Sequence, residues 1–363
     1  METARNGNRC VMHIPEFQAP LLLAGGHRQT LVPFFFANAN YPYQATSHSV
    51  TVPGDDIVVL HDDRPDNWRA GDPVALLMHG LSGCHQSAYM VRIARKLNDC
   101  GIRAFRMDHR GCGAAQGKCR YPYHAGIVGD AEAAWQKVRE LCPDSAGAAI
   151  GFSLSGNIVL KALGTVWNDS VARGPECCVS VNAPIDLAAC SVALMKLTNR
   201  IYERHFVKFL VNQVARKVEE VPGAPQPLWK TPPQRMREFD DLYTSRISGF
   251  RDVDDYYERA SAFPVIPEIQ VPTLLLTSRD DPLVPVETYE ALELPDHVHR
   301  HISASGGHLG FLARKANGDR DRRWMDWRVV DWVAEHCRPN SGLHTHFSQT
   351  PEPAVANEGA ESR

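Results

Sequence analysis

The 363 residues are 44% hydrophobic and 22% charged, an ordinary globular balance with enough apolar side chains to bury a core. A formal net charge of −3 gives no basic excess, so no nucleic-acid partner is expected. The start of the chain is polar, and no apolar run approaches the roughly 18 residues that a bilayer span needs.

The reading is therefore a cytoplasmic protein without secretory signal or transmembrane segment; peripheral membrane contact stays open, and oligomeric state is not legible. Ten scattered cysteines without a CxxC pair read as free thiols.

Residues 1–18 read as a flexible leader. Residues 19–45, rich in Pro, Phe and Ala, are expected to pack along the outside of a core. Residues 49–52 and 57–60 around Gly54-Asp55-Asp56 predict a hairpin. A parallel pattern follows, with strands at 74–78, 102–107, 148–152 and 177–181. Helices are expected at 87–98, at 126–141 with a start near Asp130, and from 157 to 163. This alternation predicts βαβ units and a mostly parallel sheet flanked by helices.

The alternation stops at residues 188–262, which carry helical stretches at 192–210, 232–244 and 254–261. This segment is expected as a helical cap inserted into a core of residues 19–187 and 263–337. Strands return at 271–276 and 298–303, and a helix at 323–337 closes the core. Residues 338–363 lack periodicity and read as a disordered tail.

Gly151-Phe152-Ser153-Leu154-Ser155-Gly156 lies between a predicted strand and a predicted helix. A serine nucleophile needs its oxygen lifted out of the chain on a sharp turn, and small neighbours let strand and helix approach that closely. The usual pattern is G-x-S-x-G, and here Ser155 stands at the last glycine. Ser153 needs a base, and His308 in Ser305-Gly306-Gly307-His308-Leu309-Gly310-Phe311 follows the last strand.

A third group must orient the imidazole. Asp281 and Asp280 both follow the preceding strand; Asp281 is preferred because it begins a D-x-x-V-P run, and Asp280 reads as a turn cap. The chain order Ser153, Asp281, His308, each beyond a strand end, is that of the α/β-hydrolase arrangement. Backbone N–H groups of Leu154 and of Leu81, in His79-Gly80-Leu81-Ser82-Gly83, are the candidate oxyanion donors. No metal or nucleotide motif is present, so neither metal nor cofactor is expected.

Further segments carry a family resemblance. His27-Arg28-Gln29-Thr30-Leu31, His79-Gly80-Leu81-Ser82-Gly83, Arg110-Gly111-Cys112 and Tyr123-His124-Ala125-Gly126 resemble motifs of the YheT-like branch of α/β-hydrolases, AB hydrolase family 4. So do Gly151 to Asn157, Phe239-Asp240-Asp241, Gly249-Phe250, Tyr256-Tyr257, Asp280-Asp281-Pro282 and Gly306 to Phe311.

The resemblance runs from about residue 20 to 337. It implies the α/β-hydrolase fold and esterase or lipase activity, with Ser153, Asp281 and His308 on the triad positions. The expected substrate is a small-molecule or lipid ester, with Phe206, Phe209, Leu210, Leu228 and Trp229 of the insert roofing an acyl pocket. Two other readings are kept: an acyltransferase with the same triad, and a catalytically silent binding protein.

Overall fold

A run of short apolar segments that alternate with amphipathic helices can bury both faces only in a sheet covered on each side. The computed structural model, which describes residues 13–35, 44–168, 173–315 and 318–337, has such a sheet of eight strands. These are β1 (Thr46–Val52), β2 (Asp56–Asp63), β3 (Val74–Met78), β4 (Arg103–Asp108), β5 (Gly147–Phe152), β6 (Cys177–Val181), β7 (Thr273–Ser278) and β8 (Val298–Ser303).

Their order is β1-β2-β4-β3-β5-β6-β7-β8. The pairs β1·β2 and β2·β4 are antiparallel and the others parallel. The β1–β2 turn uses Gly54 and Asp55 at φ 86° and 59°, left-handed values that suit these residue types.

The helices outside the β6–β7 connection are α1 (Gly26–Phe35), α2 (Ala88–Asp99), α3 (Val128–Leu141), α4 (Leu154–Leu163), α10 (Val286–Glu290) and α11 (Trp324–His336). Side chains alternate across a strand. Leu76 and Met78 of β3 therefore pack in one cluster with Trp135 of α3 and Ile158 of α4. Ala75 and Leu77 pack in the other with Ile93 and Leu97 of α2 and Val329 and Val333 of α11.

Between β6 and β7 the chain is helical: α5 (Leu187–Leu194), α6 (Arg200–Glu220), α7 (Met236–Phe239), a π turn (Asp240–Thr244), α8 (Ser245–Ile247) and α9 (Val253–Ala260). The stretch expected at 192–210 is two helices. A 3₁₀ turn, Leu197–Asn199, separates them, and the Asn199 amide donates to the Ala193 carbonyl at 2.8 Å. The chain thus leaves the sheet after β6 and returns to it at β7, placing α5 to α9 over the carboxyl ends of the strands.

Three local expectations need correction. Helix α4 starts at Leu154, directly after Ser153. Strand β7 starts at Thr273, because Pro272 has no N–H to give to a ladder. Residues 13–18, expected within the leader, are anchored: Phe17 is buried with its ring centroid 5.6 Å from those of Phe311 and Trp324, and the Pro15 carbonyl accepts from the Trp324 indole at 3.0 Å. The rest of the leader, residues 1–12, and the tail at 338–363 lie outside the described residues.

The β1–β2 hairpin is tied to α3 by a buried ion cluster. Arg110 donates to Asp130 at 2.7 and 2.6 Å and to Asp56 at 2.8 Å. Burial raises the Asp130 carboxyl, and Arg110 opposes that rise. Removing the guanidinium leaves two buried carboxylates without their cation. Arg110→Met should therefore destabilise the fold by about 3–5 kcal/mol, read from urea unfolding; a loss typical of an exposed pair would count against the assignment.

A second buried acid sits in the helical segment. Asp240 accepts from Thr244 Oγ1 at 2.8 Å and from the Tyr257 hydroxyl at 2.9 Å. Burial pushes its carboxyl up to about 6 against the pull of those two donors. The folded value lies above the ordinary value of about 3.9. The contribution of this group to stability is therefore full below pH about 4 and is lost as pH rises through about 6. Relative to Asp240→Asn, the wild type should lose about 1.4 kcal/mol per pH unit between those limits, measured as unfolding free energies at several pH values; a pH-independent gap would refute this.

Candidate active site

Strand β5 ends at Phe152, and Ser153 turns the chain into α4 with φ 52° and ψ −121°. A non-glycine residue held there is strained. Two glycines permit it. A Cβ on Gly151 would fall 2.3 Å from the Ser155 carbonyl oxygen, and one on Gly156 would fall 2.7 Å from Ala183 Cβ. Ser155, where the usual motif has glycine, is fully buried. Its hydroxyl donates to the His79 carbonyl and lies 2.7 Å from His109 Nε2. With its proton committed to that carbonyl, Ser155 Oγ accepts from His109 Nε2–H, which fixes the His109 tautomer.

His308 reaches this turn from the loop after β8. Its Nε2 lies 2.8 Å from Ser153 Oγ and its Nδ1 lies 2.8 Å from Asp281 Oδ2. The Asp281 carboxylate is filled by four donors: His308, the Asn182 amide at 2.7 Å, and the Leu283 and Val284 N–H groups at 2.8 and 3.2 Å. Asp280 instead caps the Gly307 N–H at 2.9 Å.

Two residues that the sequence reading did not single out support this pair. Asn182, at φ 47° after β6, also accepts from the Leu309 N–H at 3.3 Å. Thr30 of α1 accepts from the His308 N–H at 2.9 Å. The signal for Thr30 was present in the motif that contains it, but nothing in a local pattern says that residue 30 meets residue 308.

The loop after β3 crosses close to Ser153, since a Cβ on Gly80 would lie 2.9 Å from Ser153 Cβ. Within it the Gly80 N–H donates to the Tyr89 hydroxyl at 3.0 Å and the Ser82 N–H to the Tyr123 hydroxyl at 3.2 Å. The intervening Leu81 N–H is not drawn into that pairing. Leu154 is the first residue of α4, so its N–H has no partner within the helix. Beneath the loop, burial lowers the His79 imidazole, which keeps it neutral.

Two chambers meet at Ser153 and His308. One, of about 140 Å³, lies under α5 to α9 and is walled by Leu154, Leu187, Leu194, Leu210 and Tyr256. The other, of about 500 Å³, runs between α1 and the first half of α6, past Leu31, Ile201, Tyr202 and Tyr89. Of the expected roof, Phe206 and Leu210 line the smaller chamber. Phe209 and Trp229 pack behind it in a cluster with Phe239 and Tyr243. Leu228 is exposed, because the segment before α7 passes over the outside of that cluster, and it belongs to no roof.

One group of potential metal donors exists among the described residues: His61, His85 and Asp108. Both imidazoles lie on the same carboxylate oxygen, at 3.0 and 2.7 Å, and that oxygen also accepts from the Ala114 N–H at 2.7 Å. Burial alone would raise the Asp108 carboxyl, but hydrogen bonds from His61 and His85 hold it well below the usual carboxylate range. With so many donors already converging, the group reads as a hydrogen-bonded strut.

Comparison with known proteins identifies the family. Residues 73–314 match the family described as the alpha/beta hydrolase fold. The chain is 30% identical to YheT of Escherichia coli over 318 residues, which is 87% of this chain and 92% of that protein. It is 25% identical to the monoacylglycerol lipase of Saccharomyces cerevisiae over 72% of this chain and 59% of that one. The esterase Pf2001 of Pyrococcus furiosus superposes with a TM-score of 0.54 at 14% identity, covering 83% of this chain and 97% of the other, which shows a shared fold. The sheet order, the family match and the near full-length similarity agree: the chain belongs to the α/β-hydrolase family, in the branch of YheT.

Proposed function

We propose that the protein is a serine esterase that cleaves acyl esters, lipid-like ones included, through a Ser153–His308–Asp281 triad. The observation that carries this reading is the run of two 2.8 Å contacts from Asp281 through His308 to a strained Ser153, at the junction of two chambers. A serine hydroxyl is a poor nucleophile unless a base takes its proton, and His308 Nε2 is in place to do so. The relative named as a lipase and the apolar walls of the smaller chamber support an acyl substrate.

In this mechanism Ser153 Oγ attacks the ester carbonyl as its proton passes to His308 Nε2. Asp281 stabilises the imidazolium, and its four donors hold its carboxylate in place. The Leu81 and Leu154 N–H groups bind the oxyanion, aided by the N-terminal end of α4. Collapse expels the alcohol, which takes the proton from His308 and leaves an acyl group on Ser153. His308 then deprotonates a water that attacks this acyl-enzyme, releasing the acid. The smaller chamber holds the acyl chain, and the larger one admits the alcohol part.

A fluorophosphonate probe should label Ser153, as mapped by peptide mass spectrometry, and the label should vanish in Ser153→Ala. Ester turnover in that variant should fall by about 10⁴-fold or more. A folded wild type without label, or label at another residue, would sink the triad. Transfer of the acyl group to an added alcohol in preference to water would move the reading to an acyltransferase.

Thr30→Val keeps the shape of the α1 contact and removes the acceptor for the His308 N–H. One hydrogen bond of this kind is worth about 1 kcal/mol, so kcat should drop about fivefold to tenfold. Because Thr30 acts on the position of the base, KM should change little; a rise in KM at constant kcat would show that Thr30 contacts substrate instead.

A further inference from the structure

The mouth of the larger chamber has an unusual surface. Among the described residues, Leu21, Leu22 and Leu197 are 81–86% exposed and Ile201 is 60% exposed. Leu21 and Leu22 lie in a 3₁₀ turn shortly before α1, while Leu197 lies in the 3₁₀ turn that leads into α6 and Ile201 in the first turn of α6. The two segments are joined there, since the His27 ring stacks on Tyr202 at 5.7 Å and its Nδ1 lies 3.0 Å from the Tyr202 hydroxyl. Ile201 and His205 themselves line the chamber that leads to Ser153.

The same segment is cationic. Lys196, Arg200, Arg204 and Lys208 recur every four residues and are all exposed. In the helix, Ile201, Arg204, His205 and Lys208 share one face. The one acid between residues 196 and 208, Glu203, is buried, and its carboxylate is held 3.3 Å from Arg235. Large apolar side chains in water are unfavourable unless something covers them. Apolar side chains set among cations suit a surface that is oily beneath and negative on top.

From this arrangement we infer that the α1–α6 face docks on an anionic phospholipid surface, with the larger chamber opening against the membrane. Leu21, Leu22, Leu197 and Ile201 insert among the acyl chains at the headgroup boundary, and the row of Lys and Arg meets the lipid phosphates. An ester lying in the bilayer could then enter beside Ile201 and reach Ser153 without crossing water. The inference gives the esterase reading its source of substrate, yet it stands on surface chemistry alone.

The test is flotation of the full-length protein with vesicles of phosphatidylcholine, pure or mixed equally with phosphatidylglycerol. This assay needs no turnover, so its result is separate from the fate of the triad. Wild type should bind the mixed vesicles about tenfold more tightly than the neutral ones, and less tightly as salt is raised. Leu22→Glu combined with Leu197→Glu should weaken that binding by about tenfold or more, while hydrolysis of a soluble short-chain ester stays at the wild-type rate.

Replacing Arg200, Arg204 and Lys208 by Gln should remove the preference for the anionic vesicles. Absence of binding to either vesicle, or equal binding by the double-Glu variant, would overturn the inference. So would a dimer, seen by light scattering, that the double-Glu variant dissociates while no vesicle is bound, since the face would then pair with a second copy of the chain.

Discussion

The closeness with which α4 approaches β5 decides what the site can be. The turn at Ser153 leaves no room for a side chain at Gly151 or Gly156, where an added carbon would overlap the Ser155 carbonyl or Ala183. Because the turn is that tight, Ser153 is forced to a left-handed φ and its oxygen stands clear of both elements. The same tightness sets the first N–H of α4 beside that oxygen. The proposed nucleophile and the proposed anion-binding amide are thus two consequences of one close approach. The parallel order of β3, β5, β6, β7 and β8 then brings every other contributor to the same edge of the sheet, since each strand delivers its following loop there.

Holding the imidazole is a separate problem, because His308 lies on a loop with four consecutive or near-consecutive positive-φ residues, Gly306, Gly307, Leu309 and Phe311. Such a backbone has no repeating hydrogen bonds of its own. Its groups are taken up instead by distant parts of the chain: Gly307 by Asp280, His308 by Thr30, and Leu309 by Asn182. Gln29 adds a pair of bonds to Leu312, one given and one received. Helix α1 therefore acts as a brace laid across the open side of the β7 and β8 loops. Its Gly26 sits so near the Asp280 carbonyl that a Cβ would fall 1.7 Å from it.

The parts of this molecule that were legible in the sequence are those written in a local period or a local turn. The apolar segments of β3 to β7, the hairpin at Gly54-Asp55 and the glycine-flanked Ser153 each carry their signal within ten residues. The choice of Asp281 over Asp280 also rested on neighbours alone. What was not legible depends on residues far apart in the chain. Helix α1, with Pro33 inside it, has too little amphipathic pattern to declare itself. Its role comes from contact with residues 280 and 307–312. Phe17 likewise gives no sign that it fills a space between Phe311 and Trp324. Leu228 failed for the converse reason: apolar type in a helical region says nothing about which side of a thin layer of helices a residue faces.

Ser155 shows how a departure from a motif can be absorbed by its surroundings. Glycine at that position would leave the His79 carbonyl and the His109 ring nitrogen facing an empty, fully buried spot, and unpaired buried polar groups are costly. The serine hydroxyl joins them, giving one bond and receiving one. His109 in turn stacks on Tyr123 with the rings 5° from parallel and 4.9 Å apart, and the Tyr123 hydroxyl accepts from Ser82 in the loop that carries Leu81. A hydroxyl on the helix side of the turn is thereby linked, through two rings, to the amide loop on the other side. The extra atom of Ser155 occupies a place that its neighbours His79 and His109 have made polar. In that setting, serine at residue 155 belongs to a set of mutually dependent residues, with partners, His79 and His109, that lie outside the G-x-S-x-G turn itself.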